Sequence, residues 1–290
     1  MKIGVVVCIY QPDLLMLQEQ IESILSQTKK VDIVYFFDDS PYCIFLENKE
    51  FIANLFNNIT SIDFEVLVGP RKGVSNNFLS SLSYTDADVI FFCDQDDVWL
   101  PNKVELFINE FASAKGAMVV FSDAKIVDNQ LNVISDSFIQ SLGLTDLTIK
   151  DDTILIKNCV QGASMAINSD LIELVITSSN DLNKNFVPMH DWWIAVLAHF
   201  FGDYRYIDQP TLLYRQHDRN LVGATKKTFK DKFKIGYLIA ILKITYQIYK
   251  VHRIYLLRNG RSVNGHSFTN VNSLKVFLVK IVSFFSSRSF

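Results

Sequence analysis

Cysteine is scarce in this chain of 290 residues. The four cysteines, Cys8, Cys43, Cys93 and Cys159, are scattered along the sequence. They lack the paired spacing that metal-binding cysteines show, so we expect no thiolate metal site. Two of them lie inside apolar runs, where cysteine behaves as a small hydrophobic residue. This usage fits the reducing cytosol.

Long uncharged apolar runs are also missing. The run from Ile3 to Tyr10 is too short for a secretory signal, and Gln11-Pro12-Asp13 follows it instead of a small-residue cleavage site. The apolar stretches at 229–255 and 271–285 are interrupted by Lys and Arg. Neither supplies the roughly 20 apolar residues of a spanning helix, so the sequence argues against a membrane-spanning segment.

The charges are unevenly distributed. The net charge is only −3, but residues 226–290 hold thirteen Lys or Arg and a single acid, Asp231. We therefore divide the chain into an acidic body, residues 1–225, and a basic tail, residues 226–290. The 49% of hydrophobic residues, with 23 Phe among them, indicates a globular body with a sizeable core. A nucleic-acid ligand is disfavoured because the acidic body would repel it.

Buried strands alternate with amphipathic helices through the body. Apolar strand patterns are followed by helical ones, which predicts an α/β fold with a mainly parallel sheet and helices on both faces. In such sheets, ligands bind beyond the carboxyl ends of the strands. The predicted strands cover residues 3–10, 31–37, 63–69, 88–93 and 117–123, and the predicted helices 14–25, 43–56, 73–82 and 102–111.

A cluster of acids follows the fourth predicted strand. Asp94, Asp96 and Asp97 come directly after the apolar run that ends at Cys93, and Pro101 then opens a helix. Carboxylates crowded at the end of a buried strand repel one another and are costly without a cation. Oxygen ligands of this kind suit Mg²⁺ or Mn²⁺. The alternative is an acidic loop that caps a helix, for which Asp97 alone would suffice.

Several motifs in a fixed order resemble a known family. They are CIYQP, FFDDSP, FFCDQDDVWLPNK, CVQGASMAIN, HDWW and LLYRQHDRNLVG. Their order resembles that of the inverting family-two glycosyltransferases with the GT-A fold. Among these, the chain is most similar to the rhamnosyltransferase-type bacterial enzymes that build capsule, O-antigen or cell-wall polysaccharides. The resemblance covers residues 1–225 and implies a nucleotide-sugar-binding half, residues 1–100, and an acceptor-binding half, residues 101–225.

The resemblance implies roles for the residues that bind the donor. Tyr10 and Asp39 match positions that recognise a uracil or thymine base, and Arg71 lies near the nucleotide. Asp94 and Asp96 match the DxD pair that holds ribose and metal. The alternative for Asp39 is a helix cap ahead of Pro41.

Further metal and phosphate contacts are implied by the acidic cluster and by the last motif. Asp97 is an additional candidate for the cation, and His217 matches a position that supplies a metal or diphosphate contact. Arg215 or Arg219 would bind phosphate oxygens, and the sequence does not decide which of the two faces the site. The implied ion is Mg²⁺ or Mn²⁺.

The acceptor side is implied by two other motifs. Gln161 would line the wall beside the donor sugar, although a buried bend explains the neighbouring Gly162 equally well. Asp191 matches the general base that takes the proton of the acceptor hydroxyl. The alternative is that Asp191 is an acid at a helix start that complements the helix dipole.

The implied function is metal-assisted sugar transfer from dTDP-rhamnose or a UDP-hexose to a saccharide or lipid-linked saccharide. A sugar-phosphate nucleotidyltransferase is the alternative enzyme, but its glycine-rich loop after the first strand is missing from CIYQPDLL. A non-catalytic carbohydrate-binding scaffold is the alternative outside enzymes.

The basic tail predicts amphipathic helices that lie on an anionic membrane surface. The protein would then be cytoplasmic and peripheral at the inner face of the cell membrane. The alternative is that the tail packs on the acidic body or on a second copy of the chain.

Overall fold

Seven consecutive apolar residues form the first strand, β1 (Ile3–Ile9), and all seven are buried in the computed structural model of the chain. The structure describes residues 1–59, 62–144, 158–180 and 189–216. The predictions for His217, for Arg219 and for the tail at 226–290 lie outside these residues.

Strands and helices alternate in the described body, as the sequence predicts. The order is β1, α1 (Leu14–Leu25), β2 (Ile33–Asp38), α2 (Tyr42–Ile59), β3 (Asp63–Val68), α3 (Val74–Ser81), β4 (Val89–Cys93), β5 (Val98–Trp99), α4 (Lys103–Phe111), β6 (Met118–Val127), β7 (Val133–Ser135), α5 (Phe138–Ser141), β8 (Met165–Asn168), α6 (Ser169–Asn180), α7 (His190–Phe201) and β9 (Asp203–Arg215). Short 3₁₀ turns cover Leu82–Tyr84 and Gly162–Ser164.

The strands form one mixed sheet with the order β3-β2-β1-β4-β8-β6-β9-β5, and β7 pairs with β6. The strands β3, β2, β1 and β4 are parallel, as predicted. β8 is antiparallel to both β4 and β6, whereas β6 and β9 are parallel. The prediction of a parallel sheet is thus confirmed for the first half. The sheet as a whole stays mostly parallel, and the antiparallel strand β8 of the second half is an element that the sequence did not predict.

The strand order reverses between β1 and β4. The chain proceeds outward from β1 to β2 and β3, and then returns to place β4 on the other side of β1. At such a reversal the connections leave in opposite directions, so a crevice opens beyond the carboxyl ends of the two strands. The crevice between β1 and β4 is therefore where the fold favours a ligand.

The core lies on both faces of the sheet because side chains alternate along each strand. Val6 and Cys8 of β1 pack with α3, α6 and α7, whereas Val5, Val7 and Ile9 pack with α1, α2 and α4. Each cluster contains residues from before and after position 100. The two halves of the body thus share their cores, and their separate roles in donor and acceptor binding stay a prediction.

Among the described helices, none is long and apolar enough to cross a membrane.

Candidate active site

The structure brings the predicted donor residues to the edge of the sheet at the β1–β4 crevice. Tyr10 follows β1, Asp39 follows β2 and Asp94 follows β4. The three strands are parallel and adjacent, so these residues share one edge. The ring of Tyr10 is 59% exposed, which leaves it accessible for stacking.

The two aspartates at the end of β2 have different roles. Asp38 is fully buried, and its carboxylate accepts hydrogen bonds from Ser40 N and Asn48 Nδ2, both at 2.7 Å. Asp39 Oδ1 instead accepts a hydrogen bond from Arg71 N at 2.8 Å. The contacts of the turn ahead of Pro41 are thus made by Asp38, and Asp39 is turned toward the loop that follows β3.

That loop approaches Asp39 closely because it contains a glycine. A Cβ at Gly69 would lie 2.2 Å from Asp39 Oδ1 and 2.8 Å from Asn77 Oδ1, so any larger residue would force these two side chains to move. Arg71 has a φ of 56°, in the left-handed region, and its side chain is exposed. The loop therefore fixes Asp39 through the backbone and leaves the guanidinium of Arg71 at the surface beside the crevice.

The acids after β4 lie at different depths. Asp94 and Asp96 are half-buried, whereas Asp97 is fully buried. Burial, together with the negative charges of Asp96 and Asp191, raises the pKa of Asp94 to about 7. Asp97 Oδ1 accepts a hydrogen bond from Arg215 N at 2.9 Å, but no hydrogen bond reaches its buried Oδ2. Burial, with Asp96 and Asp94 adding repulsion, raises the pKa of Asp97 well above its ordinary value.

This donor set fits a divalent cation. The carboxylates of Asp94, Asp96 and Asp97 are hard oxygen donors, and a cation would relieve the repulsion that, together with burial, raises the pKa values of Asp94 and Asp97. The buried Oδ2 of Asp97 accepts no hydrogen bond, as expected of an oxygen that would bind a cation. Among the residues described, no group of three acids, histidines or cysteines has the geometry of a preformed metal site. The predicted ligand His217 lies outside them.

Lys103 is a member of this site that the sequence did not reveal. Its side chain is fully buried, and Nζ donates a hydrogen bond to Ala163 O at 2.7 Å. Nζ also lies 4.7 Å from the ring centroid of Trp99 and 5.4 Å from that of Phe107. Burial lowers the pKa of Lys103 to about 7, against the opposing pull of Cys93, Asp97 and Asp94. The only sequence signal is its place in the first turn of α4, directly after the acidic loop.

The predicted base lies at the start of α7 and shares the crevice with the acids. Asp191 Oδ1 accepts a hydrogen bond from Trp192 N at 2.6 Å. Burial raises the pKa of Asp191 to about 6, although hydrogen bonds from Trp192 N, Gly162 N and the Asn158 side chain act in the opposite direction. The charge of Asp191 in turn raises the pKa of Asp94, so the two carboxyl groups are electrostatically linked.

His190 fixes the position of this helix start by packing. Its ring stacks on Phe78, with centroids 4.2 Å apart, and lies 5.9 Å from Phe92. Burial lowers the pKa of His190 to about 3, so the ring is neutral at physiological pH. A Cβ at Gly162 would lie 2.6 Å from His190 Nε2, which explains the glycine as the bend that allows this approach. Gln161, just before it, is buried, and no hydrogen bond reaches its amide.

The structure does not support a phosphate contact for Arg215. The side chain is 2% exposed, Nε donates to Asp96 O at 2.8 Å, and Nη1 donates to Asn129 O at 2.8 Å. Nη2 forms an ion pair with Glu19. Because all three guanidinium nitrogens bind protein oxygens, Arg215 anchors the acidic loop to β9 and α1.

Comparisons with known proteins agree with this fold. The model of the family described as "Glycosyl transferase family 2" matches residues 4–175, more than half of the chain. The dTDP-rhamnosyl transferase RfbG of Shigella flexneri is 27% identical over 234 residues, which cover 75% of this chain and 74% of that protein.

Two solved structures share the fold. Residues 1–349 of S. aureus TarS in complex with UDP match with a TM-score of 0.57 and 14% identity, covering 99% of this chain and 72% of that one. The mannosyltransferase PcManGT of Pyrobaculum calidifontis, in complex with GDP-Man and Mn²⁺, matches with a TM-score of 0.52 and 13% identity, covering 100% of this chain and 76% of that one. The expected GT-A fold agrees with these neighbours. The chain belongs to glycosyl transferase family 2 and is a nucleotide-sugar-dependent glycosyltransferase.

Proposed function

We propose that this enzyme transfers a sugar from dTDP-rhamnose or a UDP-hexose to a saccharide or lipid-linked saccharide, with inversion at the anomeric carbon. Its product would be part of a bacterial capsule, O-antigen or cell-wall polysaccharide. The observation that carries the proposal is the pairing of Asp191 with the acidic loop. Asp191, whose pKa is about 6, interacts electrostatically with Asp94 of the acidic loop, which follows the end of the parallel strand β4.

Asp191 is the general base of the proposed reaction. Its carboxylate takes the proton of the acceptor hydroxyl while the hydroxyl oxygen attacks C1 of the donor sugar. The bond from C1 to the diphosphate oxygen breaks, and the nucleoside diphosphate leaves with that electron pair. A single displacement of this kind needs one base, and a pKa of about 6 leaves Asp191 ionised at neutral pH.

Asp94, Asp96 and Asp97 would hold Mg²⁺ or Mn²⁺ together with the diphosphate. When bound, the ion supplies positive charge beside the departing nucleoside diphosphate. The buried Lys103 interacts electrostatically with Asp97 and Asp94 and adds a positive charge beside them when it is protonated. The Mn²⁺ in the structure of PcManGT, a neighbour in fold, supports this assignment.

The remaining donor contacts come from the edge of the sheet. We assign the exposed ring of Tyr10 to stacking on the base and the carboxylate of Asp39 to hydrogen bonding with it. Arg71 would contact the nucleotide from the surface of the crevice. Gln161, whose buried amide no hydrogen bond reaches, would line the wall nearest the sugar.

The choice of donor rests on the relatives. RfbG is named as a dTDP-rhamnosyl transferase, and TarS was solved with UDP and with UDP-GlcNAc. Both nucleotides carry a pyrimidine base, which suits recognition by one aromatic ring and one carboxylate. We therefore place dTDP-rhamnose first and UDP-hexoses second.

A donor screen tests the proposal. The enzyme is incubated with MnCl₂ and, in turn, dTDP-rhamnose, UDP-glucose, UDP-galactose, UDP-GlcNAc and GDP-mannose, and the released nucleoside diphosphate is measured with and without saccharide acceptors. We expect release from one pyrimidine donor, stimulated by an acceptor and abolished by EDTA. Pyrophosphate formation from a sugar 1-phosphate and a nucleoside triphosphate would instead indicate a nucleotidyltransferase. Sugar binding without any turnover would indicate a scaffold.

A further inference from the structure

The pairing of β1 with β4 ends just before the candidate site. The register runs from Ile3 opposite Val89 to Val7 opposite Cys93, where β4 ends. β1 continues to Ile9, and Tyr10 follows it. Beyond Cys93 the two strands therefore separate, and this separation opens the crevice in which we place the donor.

One side chain bridges this separation. Gln95 Oε1 accepts a hydrogen bond from Tyr10 N at 2.8 Å, and Gln95 Nε2 donates one to Tyr10 O at 3.2 Å. A primary amide has a donor and an acceptor on the same carbon, like a peptide group, so it can pair with both polar groups of one residue. Gln95 thus takes the place of a rung that the main chain of β4 no longer supplies.

The two bridged segments carry different parts of the candidate site. Tyr10 presents an exposed ring, so its position depends on how its backbone is held. The next residue, Gln11, has a φ of 43°, and its N–H donates to Ser40 Oγ at 2.7 Å. On the other side, Gln95 stands between Asp94 and Asp96 in the acidic loop. The side-chain amide of Gln95 therefore joins Tyr10, which we assign to stacking on the nucleotide base, directly to the acidic loop, which we assign to the cation.

We propose that Gln95 is a positioning residue that couples the base-binding ring of Tyr10 to the acidic loop. This inference rests on the proposed function, because it assumes that the ring of Tyr10 stacks on the base of the nucleotide. Without the amide, the Tyr10 ring would sample several positions over the crevice, and part of the stacking on the base would be lost. Binding of the nucleotide would weaken, although no atom of Gln95 needs to contact it.

A double-mutant cycle on nucleotide binding tests the coupling. The affinities of UDP and dTDP are measured calorimetrically in the presence of MnCl₂ for the wild type, Gln95→Ala, Tyr10→Ala and the double variant. We expect Gln95→Ala to weaken binding about tenfold, which lies within the contribution of stacking one base on an aromatic ring. In the Tyr10→Ala background the same change should cost less than about twofold, because the ring that it positions is gone.

Two further variants separate positioning from general damage. Gln18→Ala removes a glutamine from the surface of α1, where it donates to Glu22, and should leave nucleotide affinity unchanged. Gln95→Asn keeps the amide without adding charge, but its side chain is one methylene shorter and cannot pair with both polar groups of Tyr10, so it should weaken binding as Gln95→Ala does. Melting temperatures without ligand identify any variant that is simply misfolded.

The outcomes distinguish this inference from the proposed function. If Gln95→Ala weakens binding by the same factor with and without Tyr10, the coupling does not exist and the inference is overturned alone. If the wild type binds neither UDP nor dTDP, the proposed function fails and the inference fails with it. A drop in affinity that disappears in the Tyr10→Ala background supports both.

Discussion

Asp191 is subject to two opposing influences on its pKa. Burial favours the neutral acid and raises the pKa to about 6, while hydrogen bonds from Trp192 N, Gly162 N and Asn158 favour the carboxylate. The result is a carboxyl group that is ionised at neutral pH and retains more proton affinity than a surface aspartate, which suits the proposed role of general base. A helix-start acid that only complemented the dipole would need neither this burial nor the link to Asp94.

Replacing this carboxylate should stop transfer and leave donor binding intact. Asp191→Asn keeps the size of the side chain but cannot accept a proton, so transfer should fall roughly 10²–10⁴-fold, the usual contribution of a positioned base. Rates are measured with the donor found in the screen, and nucleotide affinity by calorimetry. Near-normal transfer with a loss of about 0.3–1 kcal/mol in stability would instead identify a helix-start acid.

The pKa of Asp191 predicts where the transfer rate falls on the acidic side of its pH profile. The base works as its carboxylate, so kcat/KM for the acceptor should fall as the pH drops through about 6, the pKa of Asp191. The measurement is a profile from pH 5 to pH 8 in buffers of constant ionic strength. The residual activity of Asp191→Asn should lack this fall, and a fall retained in that variant would assign it to another group.

In the protein without bound metal, the buried carboxylate of Asp94 should lower the free energy of unfolding, and this loss should grow as the pH rises. Its folded pKa of about 7 lies above the ordinary value of 3.8, so between these values the folded state binds more protons. The free energy of unfolding therefore decreases as the pH rises from about 4 to about 7, and the full loss is present above about pH 7. We expect Asp94→Asn to melt at a higher temperature than the wild type at pH 8 in EDTA, with the difference shrinking toward pH 5. A difference that does not depend on pH would contradict the linkage.

At the scale of the elements, the bend at Gly162–Ser164 positions the start of α7. Gly162→Ala would place a methyl group 2.6 Å from His190 Nε2, and the stacked Phe78 blocks the ring from moving away. The helix start must shift, and a displacement of about 1 Å at a reacting group can cost about 10²-fold in rate. We expect kcat to fall by about that factor while the KM of the donor changes little.

A matched steric change at the other end of the same helix provides the control. A Cβ at Gly202 would lie 2.1 Å from Ala117 O, so Gly202→Ala should destabilise the fold without displacing Asp191. Its kcat per folded molecule should remain close to that of the wild type. Equal losses of kcat in the two variants would mean that the bend has no special role.

The elements that the sequence predicts are those with local patterns. The runs that form β1, β2 and β4 are continuous and apolar, so their strands are evident from neighbouring residues alone. β8 was missed because its four residues follow a tight turn and pair with strands distant in sequence.

The contributions of long side chains could not be predicted for a similar reason. Lys103, Gln95 and Arg215 bond to residues that are 60, 85 and 196 positions away in the sequence. A residue type and its neighbours do not show which distant oxygen a long side chain will reach. The acids could be located because a strand pattern points to its own end.

At the scale of the whole molecule, the uneven charge predicts that the basic tail binds an anionic membrane surface. The first part of the basic tail holds five lysines within nine residues, Lys226, Lys227, Lys230, Lys232 and Lys234. Each basic residue near an anionic surface contributes about 1 kcal/mol, so changing all five to Gln should weaken binding to phosphatidylserine vesicles by well over tenfold. Vesicle sedimentation measures the bound fraction.

Controls for this prediction separate a surface from a partner chain. Lys29→Gln with Lys49→Gln removes exposed charges from the body and should leave vesicle binding unchanged. If the tail variant binds vesicles like the wild type but changes its mass in light scattering, the tail packs on a second copy of the chain. Transfer to a soluble acceptor should be equal in all of these proteins.

The long-range contacts of Arg215 affect the order in which the parts of the chain fold. Its guanidinium reaches Glu19 across 196 residues, and its N–H reaches Asp97 across 118. Closing loops of this length is slow relative to local pairing, so these contacts form late. A nascent chain on the ribosome can complete β1 to β4 long before β9 emerges. The acidic loop would therefore acquire its final shape only after the strands β1 to β4 have formed, and chains released early would contain these strands without the finished loop.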